Sequence, residues 1–275
     1  MANAICTSLA PIHQSVGRHL LRGLIVFAML LVSTVFSNES HAAEPRGVRN
    51  IVLVHGAFTD GSSWQDVIPL LQAKGYHVTA VQNPLTSLAN DVEATRHVLE
   101  RQQGGVLLVG HSWAGAVITE AGNFGNARGL VYLSALVPDA GESVADLLIR
   151  QKAPMEGLAP DRNGYVWLDD PKAYSKVMAA DVSSSRVALL AATQQPMAAK
   201  SFAEKIGSKA AWEAKPSWYL VTEKDGAIPV HVQQAIAKHI GATTRAIQSS
   251  HMSMISHPED VANFIANAAE TLSDN

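Results

Sequence analysis

Cysteine is nearly missing from this chain: of 275 residues only Cys6 carries a thiol. A disulfide framework is therefore excluded, and because Cys6 precedes an apolar N-terminal run, the remainder of the chain has no thiol nucleophile. Charge is also sparse, at 16% of residues with a formal net charge of −3. Lysine and arginine are scattered, so no basic stripe is present to neutralise phosphates, and nucleic acid is not an expected partner. No ligand set for a metal or an organic cofactor is visible, and neither is expected. Long hydrophobic runs are lacking too. The apolar run from Leu24 to Val32, which continues through Ser33 and Thr34 to Phe36, is shorter than the ~20 residues needed to span a bilayer. No segment reads as a linker or a repeat. The partner left by these exclusions is a small neutral or weakly charged molecule.

That N-terminal run has the features of an export signal. Arg18 and Arg22 precede it, and the polar stretch Ser37 to Ala43 follows, with small residues at Ser40 and Ala42. A basic region, a short apolar region and small residues at the exit describe a secretory signal peptide cleaved after Ala42 or Ala43. The basic region is unusually long, and a retained signal anchor is the alternative. Cleavage would leave residues 44–275 in the periplasm or outside the cell, with no stable membrane insertion. With 47% hydrophobic residues, this part can form a sizeable core as one domain.

The stretch that organises this domain is Val106-Leu-Leu-Val-Gly-His-Ser-Trp-Ala-Gly115. Val106 to Val109 is an apolar run of strand length, and a helical pattern begins at Trp113. Ser112 sits on the bend between them. A sharp strand-to-helix turn presents its apex side chain above a sheet when small neighbours let the backbones pass, and Gly110, Ala114 and Gly115 are small. The second glycine of G-x-S-x-G is Ala114 here, which still fits. The bland alternative is a serine capping a helix.

Other strands are expected at Asn50–Val54, His77–Val81, Gly129–Ser134, Ser217–Thr222 and Thr243–Ile247. Helices alternate with them over 63–74, 88–103, 113–123, 229–239 and 258–272, the last introduced by a capping box at Ser256 and Glu259. Alternation at this spacing means an α/β fold with a mostly parallel sheet covered on both faces. From about 138 to 216 prolines interrupt the pattern between short helical pieces, which reads as a helical cap insertion. Its apolar residues, Met155, Leu158, Trp167 and Met178 among them, are either packing or pocket wall.

Acyl transfer from a serine needs a base for the hydroxyl proton and an acid that orients the base. In a parallel sheet both must come from loops at the carboxyl ends of strands, the edge on which the bend places Ser112. His251 lies in the loop after the last strand, whereas His231, His239 and His257 sit at helix ends and read as surface residues. Asp225 and Glu223 share the loop after the preceding strand. Asp225, on the glycine turn, is the preferred orienter and Glu223 its competitor. The loop His55-Gly-Ala-Phe58 after the first strand can turn backbone N–H groups toward a ligand, and His55 is expected to support that loop rather than move protons.

With these residues placed, the chain resembles an α/β hydrolase from end to end. Val54-His-Gly-Ala57, Gly110-His-Ser-Trp-Ala-Gly115, Asp225-Gly-Ala-Ile-Pro229 and Ser250-His251 resemble small-ester esterases grouped with plant methyl-ester esterases, hydroxynitrile lyases and bacterial pyrethroid hydrolases. The resemblance implies Ser112 as nucleophile, His251 as base, Asp225 as its orienter, and the N–H groups of Ala57 and Trp113 as oxyanion hole. Phe58, Leu158, Trp167 and Met252 are the candidate substrate-binding residues. Lyases of this group carry threonine at Gly56 and lysine at Met252, so cyanohydrin cleavage lacks its hydroxyl and ammonium here. An aspartate nucleophile, as epoxide hydrolases and dehalogenases of this fold need, is absent at Ser112. The expected function is a serine carboxylesterase acting on a small or medium ester with a hydrophobic acyl or aryl part. A lyase and a catalytically silent binding protein are the alternatives.

Overall fold

Buried apolar runs set the architecture. In the computed structural model, which describes residues 46–153, 159–207 and 209–273, strand β1 (Asn50–Val54) and strand β3 (Val106–His111) are buried at every position. Such strands must be covered on both faces, the condition of a parallel sheet with crossover helices. With β2 (His77–Val81), β4 (Ala127–Leu133), β7 (Ser217–Thr222) and β8 (Thr243–Ile247) they form one six-stranded sheet in the order β2-β1-β3-β4-β7-β8. All its pairings are parallel. The edge strand β8 is exposed along Thr243 to Ala246, in keeping with its polar sequence. All six expected strands are found.

Because the order reverses at β1, right-handed connections place α1 (Ile68–Ala73) on one face and α2 (Leu88–Glu100) and α3 (Ala114–Ala121) on the other. The register pairs Val54 with Gly110, so the loop after β1 and the bend after β3 emerge together at one edge. Ser87 caps α2 by accepting from Asn90 N at 3.0 Å.

Between β4 and β7 the chain leaves the sheet. It forms α4 (Val144–Arg150), α5 (Pro171–Val177) and α6 (Ser184–Thr193), plus an antiparallel pair of two-residue strands, β5 (Tyr165–Val166) and β6 (Met197–Ala198). That ribbon is too short to leave a period-2 signature in the sequence. The chain closes with α7 (Val230–His239), α8 (Ser253–Ser256) and α9 (Pro258–Glu270).

Three local expectations are corrected. The helix expected over 63–74 is split into a 3-10 turn, Gly61–Trp64, and α1, because Pro69 lacks the N–H that a continuous ladder needs and sits instead in the first turn of α1. The capping box at Ser256 does not form. Ser256 ends α8 and its Oγ lies 3.0 Å from Ser249 Oγ, while α9 starts after His257 with no side-chain cap. Pro229 is the extended N-cap of α7, not its first helical residue. The export segment 1–43, Met155 and Leu158 lie outside the described residues.

Candidate active site

The bend after β3 is strained in the way an exposed apex requires. Ser112 has φ 54, a left-handed conformation that costs a non-glycine residue of order 1–3 kcal/mol. Surrounding contacts over-determine it: Ser112 N donates to Leu133 O at 3.1 Å, and Ser112 O accepts from Gly115 N and Leu136 N at 3.0 and 3.1 Å. A Cβ on Gly110 would lie 2.7 Å from Ala114 O, and one on Gly115 would lie 2.4 Å from Leu136 O. Gly115 therefore supplies the clearance against the loop after β4, and Ala114 is buried without harm. Ser112 caps no helix, since Trp113 holds the N-cap of α3 and makes no side-chain cap bond.

The loops after β7 and β8 bring Asp225 and His251 together. His251 Nδ1 donates to Asp225 Oδ2 at 2.7 Å, and both side chains are fully buried. Asp225 Oδ2 also accepts from Thr222 Oγ1 at 2.7 Å and Gln233 Nε2 at 3.0 Å, and Oδ1 accepts from Ala227 N and Ile228 N at 2.7 and 2.8 Å. Burial would raise the Asp225 pKa, but the neighbouring His251 and these donors outweigh it and hold the carboxyl below its usual value. Glu223, the competing carboxylate, is exposed and bonds Gln248 Nε2. With Nδ1 committed to Asp225, His251 Nε2 is buried without a hydrogen-bond partner among the described residues. Ser112 and His251 line the same cavity.

The loop after β1 packs directly on the bend. A Cβ on Gly56 would come within 2.9 Å of His111 O and of Ser112 Cβ, so a larger residue there would displace the apex. His55 Nδ1 donates to Gly56 O at 2.9 Å, and its Nε2 accepts from Asn83 N at 2.9 Å, with burial lowering its pKa and favouring the neutral ring. His55 is thus a loop support. The N–H groups of Ala57 and Trp113 donate to no acceptor among the described residues, and both residues line the cavity.

Residues 51–264 match the model of the alpha/beta hydrolase family. The chain belongs to that family. It is 29% identical to alpha/beta hydrolase nvfD of Aspergillus novofumigatus over 80% of this chain and 96% of that one. It is 27% identical to putative methylesterase 11, chloroplastic, of Arabidopsis thaliana over 74% of this chain, spanning 59% of that protein. Among solved structures, the pyrethroid hydrolase PytH superposes with a TM-score of 0.68 at 22% identity, covering 81% of this chain and 98% of that one, a likeness of fold. The resemblance drawn from the four motifs thus agrees with the family and with esterase-named relatives.

The cavity of this hydrolase measures about 630 Å³. Its walls are mainly apolar: Phe58, Leu136 and Ile228 from the core loops, Leu148, Val177 and Phe202 from the segment between β4 and β7. Of the candidate substrate-binding residues, Phe58 and Trp167 line it. Trp167 is half-exposed, and its indole N–H donates to Asp161 Oδ2 at 3.1 Å. Met252 is a correction. It is fully buried and lies outside the cavity lining, an apolar side chain packed in the core, while its backbone N–H donates to Met178 O at 3.0 Å. No group of side chains suited to a metal ion occurs among the described residues, and no described helix is long and apolar enough to cross a membrane.

Several supporting residues gave no sequence signal. Asp91, in α2, is fully buried and accepts from Trp113 Nε1 and from Leu85 N, both at 2.8 Å. Burial pushes its pKa up to about 6 against the pull of these donors. His111 Nε2 donates to His251 O at 3.0 Å, and the two rings stand 4.6 Å apart. Burial, with the nearby His251, lowers the His111 pKa well below its ordinary value. The contacts of Asp91 with Trp113 and of His111 with His251 run between separate elements of the chain.

Protonation of the buried histidines should weaken the fold in acid. His55 and His111 have folded pKa values below the unfolded ~6.5, so their contribution is full above that pH and is lost as pH falls below it. Asp91 acts oppositely, its raised pKa favouring the fold below the unfolded value and costing stability as pH rises through about 6. Urea midpoints of wild type and His111→Gln at pH 7.5 and 5 should diverge, with the variant losing less on acidification. Equal losses would mean that His111 does not charge on unfolding.

Proposed function

We propose that this hydrolase cleaves a small or medium carboxylic ester with a hydrophobic acyl or aryl part through an acyl-enzyme on Ser112. The observation that carries the reading is His251, which lines the same cavity as Ser112, has Nδ1 held by Asp225, and keeps a buried Nε2 with no hydrogen-bond partner among the described residues. In this mechanism Ser112 Oγ attacks the ester carbonyl while His251 Nε2 takes its proton. Asp225 fixes the tautomer and stabilises the imidazolium. The N–H groups of Ala57 and Trp113 receive the oxyanion. The C–O bond of the ester then breaks, and His251 returns the proton to the departing alcohol. Water, deprotonated by the same nitrogen, frees the acid and regenerates Ser112.

The esterase names among the relatives and the apolar cavity support the substrate class. A lyase is disfavoured by the same geometry: Gly56 has no room for a side chain hydroxyl, and Met252 is apolar and turned inward. A silent binding protein has no need of the Asp225–His251 pair. The test is intact-mass spectrometry during turnover of aryl esters, joined to a panel in which acyl and alcohol parts vary separately. An adduct of acyl mass on Ser112 and faster cleavage of hydrophobic members are expected. Turnover with no acyl adduct under any condition of trapping would overturn the reading.

Selectivity should depend on the segment between β4 and β7. Trp167→Ala is expected to change the ranking of matched ester pairs more than the rate of Ser112 phosphonylation by a small fluorophosphonate, and Leu158→Ala to act likewise. An unchanged ranking in both would place selectivity in the core loops. We also propose that residues 1–43 export the protein. N-terminal sequencing of protein recovered from the periplasm or medium should begin at Ala43 or Glu44, and an intact Met1 there would refute cleavage.

A further inference from the structure

The loop carrying His251 is tied to the segment between β4 and β7 on both sides of the histidine. On one side Ser250 N donates to Asp181 Oδ2 at 2.9 Å, and Ser250 Oγ bonds Asp181 Oδ1 and lies 3.2 Å from Met178 O. On the other side Met252 N donates to the same Met178 O at 3.0 Å. Between them, His251 O accepts from His111 Nε2 at 3.0 Å and from Ser134 Oγ at 3.4 Å, both core residues. Met178 directly follows α5 and Asp181 comes three residues later, and Ala173, Lys176, Val177 and Met178 of this stretch line the cavity. One piece of chain therefore serves as wall to the cavity and as scaffold to the histidine.

Asp181 is unusual among these contacts because it is a side chain gripping two atoms of one loop residue, the N and Oγ of Ser250. Hydrogen bonds to a carboxylate are roughly twice as strong as neutral ones, and a pair of them on one residue fixes direction as well as distance. Burial alone would raise the Asp181 pKa, but hydrogen bonds from Ser250 foremost, then from Ser256 and its own backbone N–H, hold it below its usual value, so the grip is made by the charged form. His257 Nδ1 also stands 3.7 Å from Asp181 Oδ2. The roles given to Ser112, Asp225 and His251 use none of these bonds.

We propose that Asp181 is a positioning residue: by clamping Ser250 to the end of α5 it sets the His251 ring between Asp225 and Ser112. The assignment rests on the serine-esterase reading. It makes the placement of the base depend on the wall that meets the substrate, so displacement of α5 is felt at His251.

The test compares Asp181→Ala and Asp181→Asn in the full chain with wild type. Asparagine keeps the grip, its Oδ1 accepting from Ser250 N and its Nδ2 donating to Ser250 Oγ. Alanine removes it. Asp181→Ala should lower kcat for an aryl ester on the order of 10- to 100-fold, with KM within about twofold, and Asp181→Asn should restore most of the loss. The second readout is proton NMR. The downfield His251 Nδ1–H resonance, identified by its loss in Asp225→Asn, should shift or broaden in Asp181→Ala and return in Asp181→Asn. An unmoved resonance with unchanged kcat, whatever happens to the melting temperature, would show a merely structural bond and overturn the proposal. So would Asp181→Asn being as impaired as Asp181→Ala. If Asp181→Ala does not fold, Ser250→Ala removes half the grip from the other side, and full kcat with an unmoved resonance in that variant is equally decisive against it. Wild-type enzyme that forms no adduct at Ser112 would sink the esterase reading, whereas the resonance still reports on the clamp.

Discussion

Ser112→Ala should abolish labelling by a fluorophosphonate probe and bring ester turnover to background, with the fold unchanged. In another serine hydrolase, loss of the nucleophile costs ~10⁶ in kcat, and an effect of that order is expected here. Folding should survive because the bonds that hold the bend come from the backbone of residue 112, and alanine keeps both its N–H and its C=O. The left-handed φ of 54 is no worse for alanine than for serine. Comparing labelling and circular dichroism of the two proteins separates chemistry from folding. Labelling that persists at another serine, with activity retained, would remove Ser112 from the mechanism.

Asp225→Asn should be the next most damaging change, with a loss of ~10⁴ in kcat, the size seen when the same substitution is made in a serine protease. An amide nitrogen cannot accept from His251 Nδ1–H, so the ring turns or takes the tautomer that leaves Nε2 protonated. A second effect is specific to this site. Thr222, Gln233, Ala227 and Ile228 all donate to the carboxylate, and an asparagine has one acceptor oxygen for them. Each buried donor left unpaired costs ~1–3 kcal/mol, so the variant should also melt lower. Glu223→Gln is the control. Its carboxylate is exposed and its partner is Gln248, so activity and melting temperature should stay near wild type. Reversed effects would make Glu223 the orienter, and activity in both variants would place the acid elsewhere.

Ser112 was legible because its surroundings are local: an apolar run, a bend and small residues within a few positions imply the apex directly. His251 was legible from its place after the last strand. Asp225 and Glu223 lie two positions apart in one loop, and both are carboxylates, so sequence could rank them only by closeness to the glycine turn. The choice rests on which side chain turns inward, and inward means toward Thr222, Gln233 and His251.

The residues that hold the site were harder still. Asp91 looks like an ordinary first-turn acid of α2, His111 like a spacer in the serine motif, and Asp181 like a polar residue at a helix end. Each gains its meaning from a partner far along the chain, Trp113, His251 and Ser250 respectively. Met252 misled for the same reason, since adjacency to His251 in the chain implies nothing about which way its side chain faces.

By itself the sequence determined the six strands of the main sheet and their alternation with helices, the parallel sheet, the bend at Ser112 and the edge at which the functional loops gather. All of these follow from hydrophobic period, chain direction and the size of near neighbours, which are properties of short segments. The tertiary structure alone decided which carboxylate meets His251, which apolar residues face the cavity and which pack behind it, and how the segment between β4 and β7 grips the histidine loop. Those depend on side-chain direction and on hydrogen bonds closed across long stretches of chain, which exist only once the segments are packed against one another.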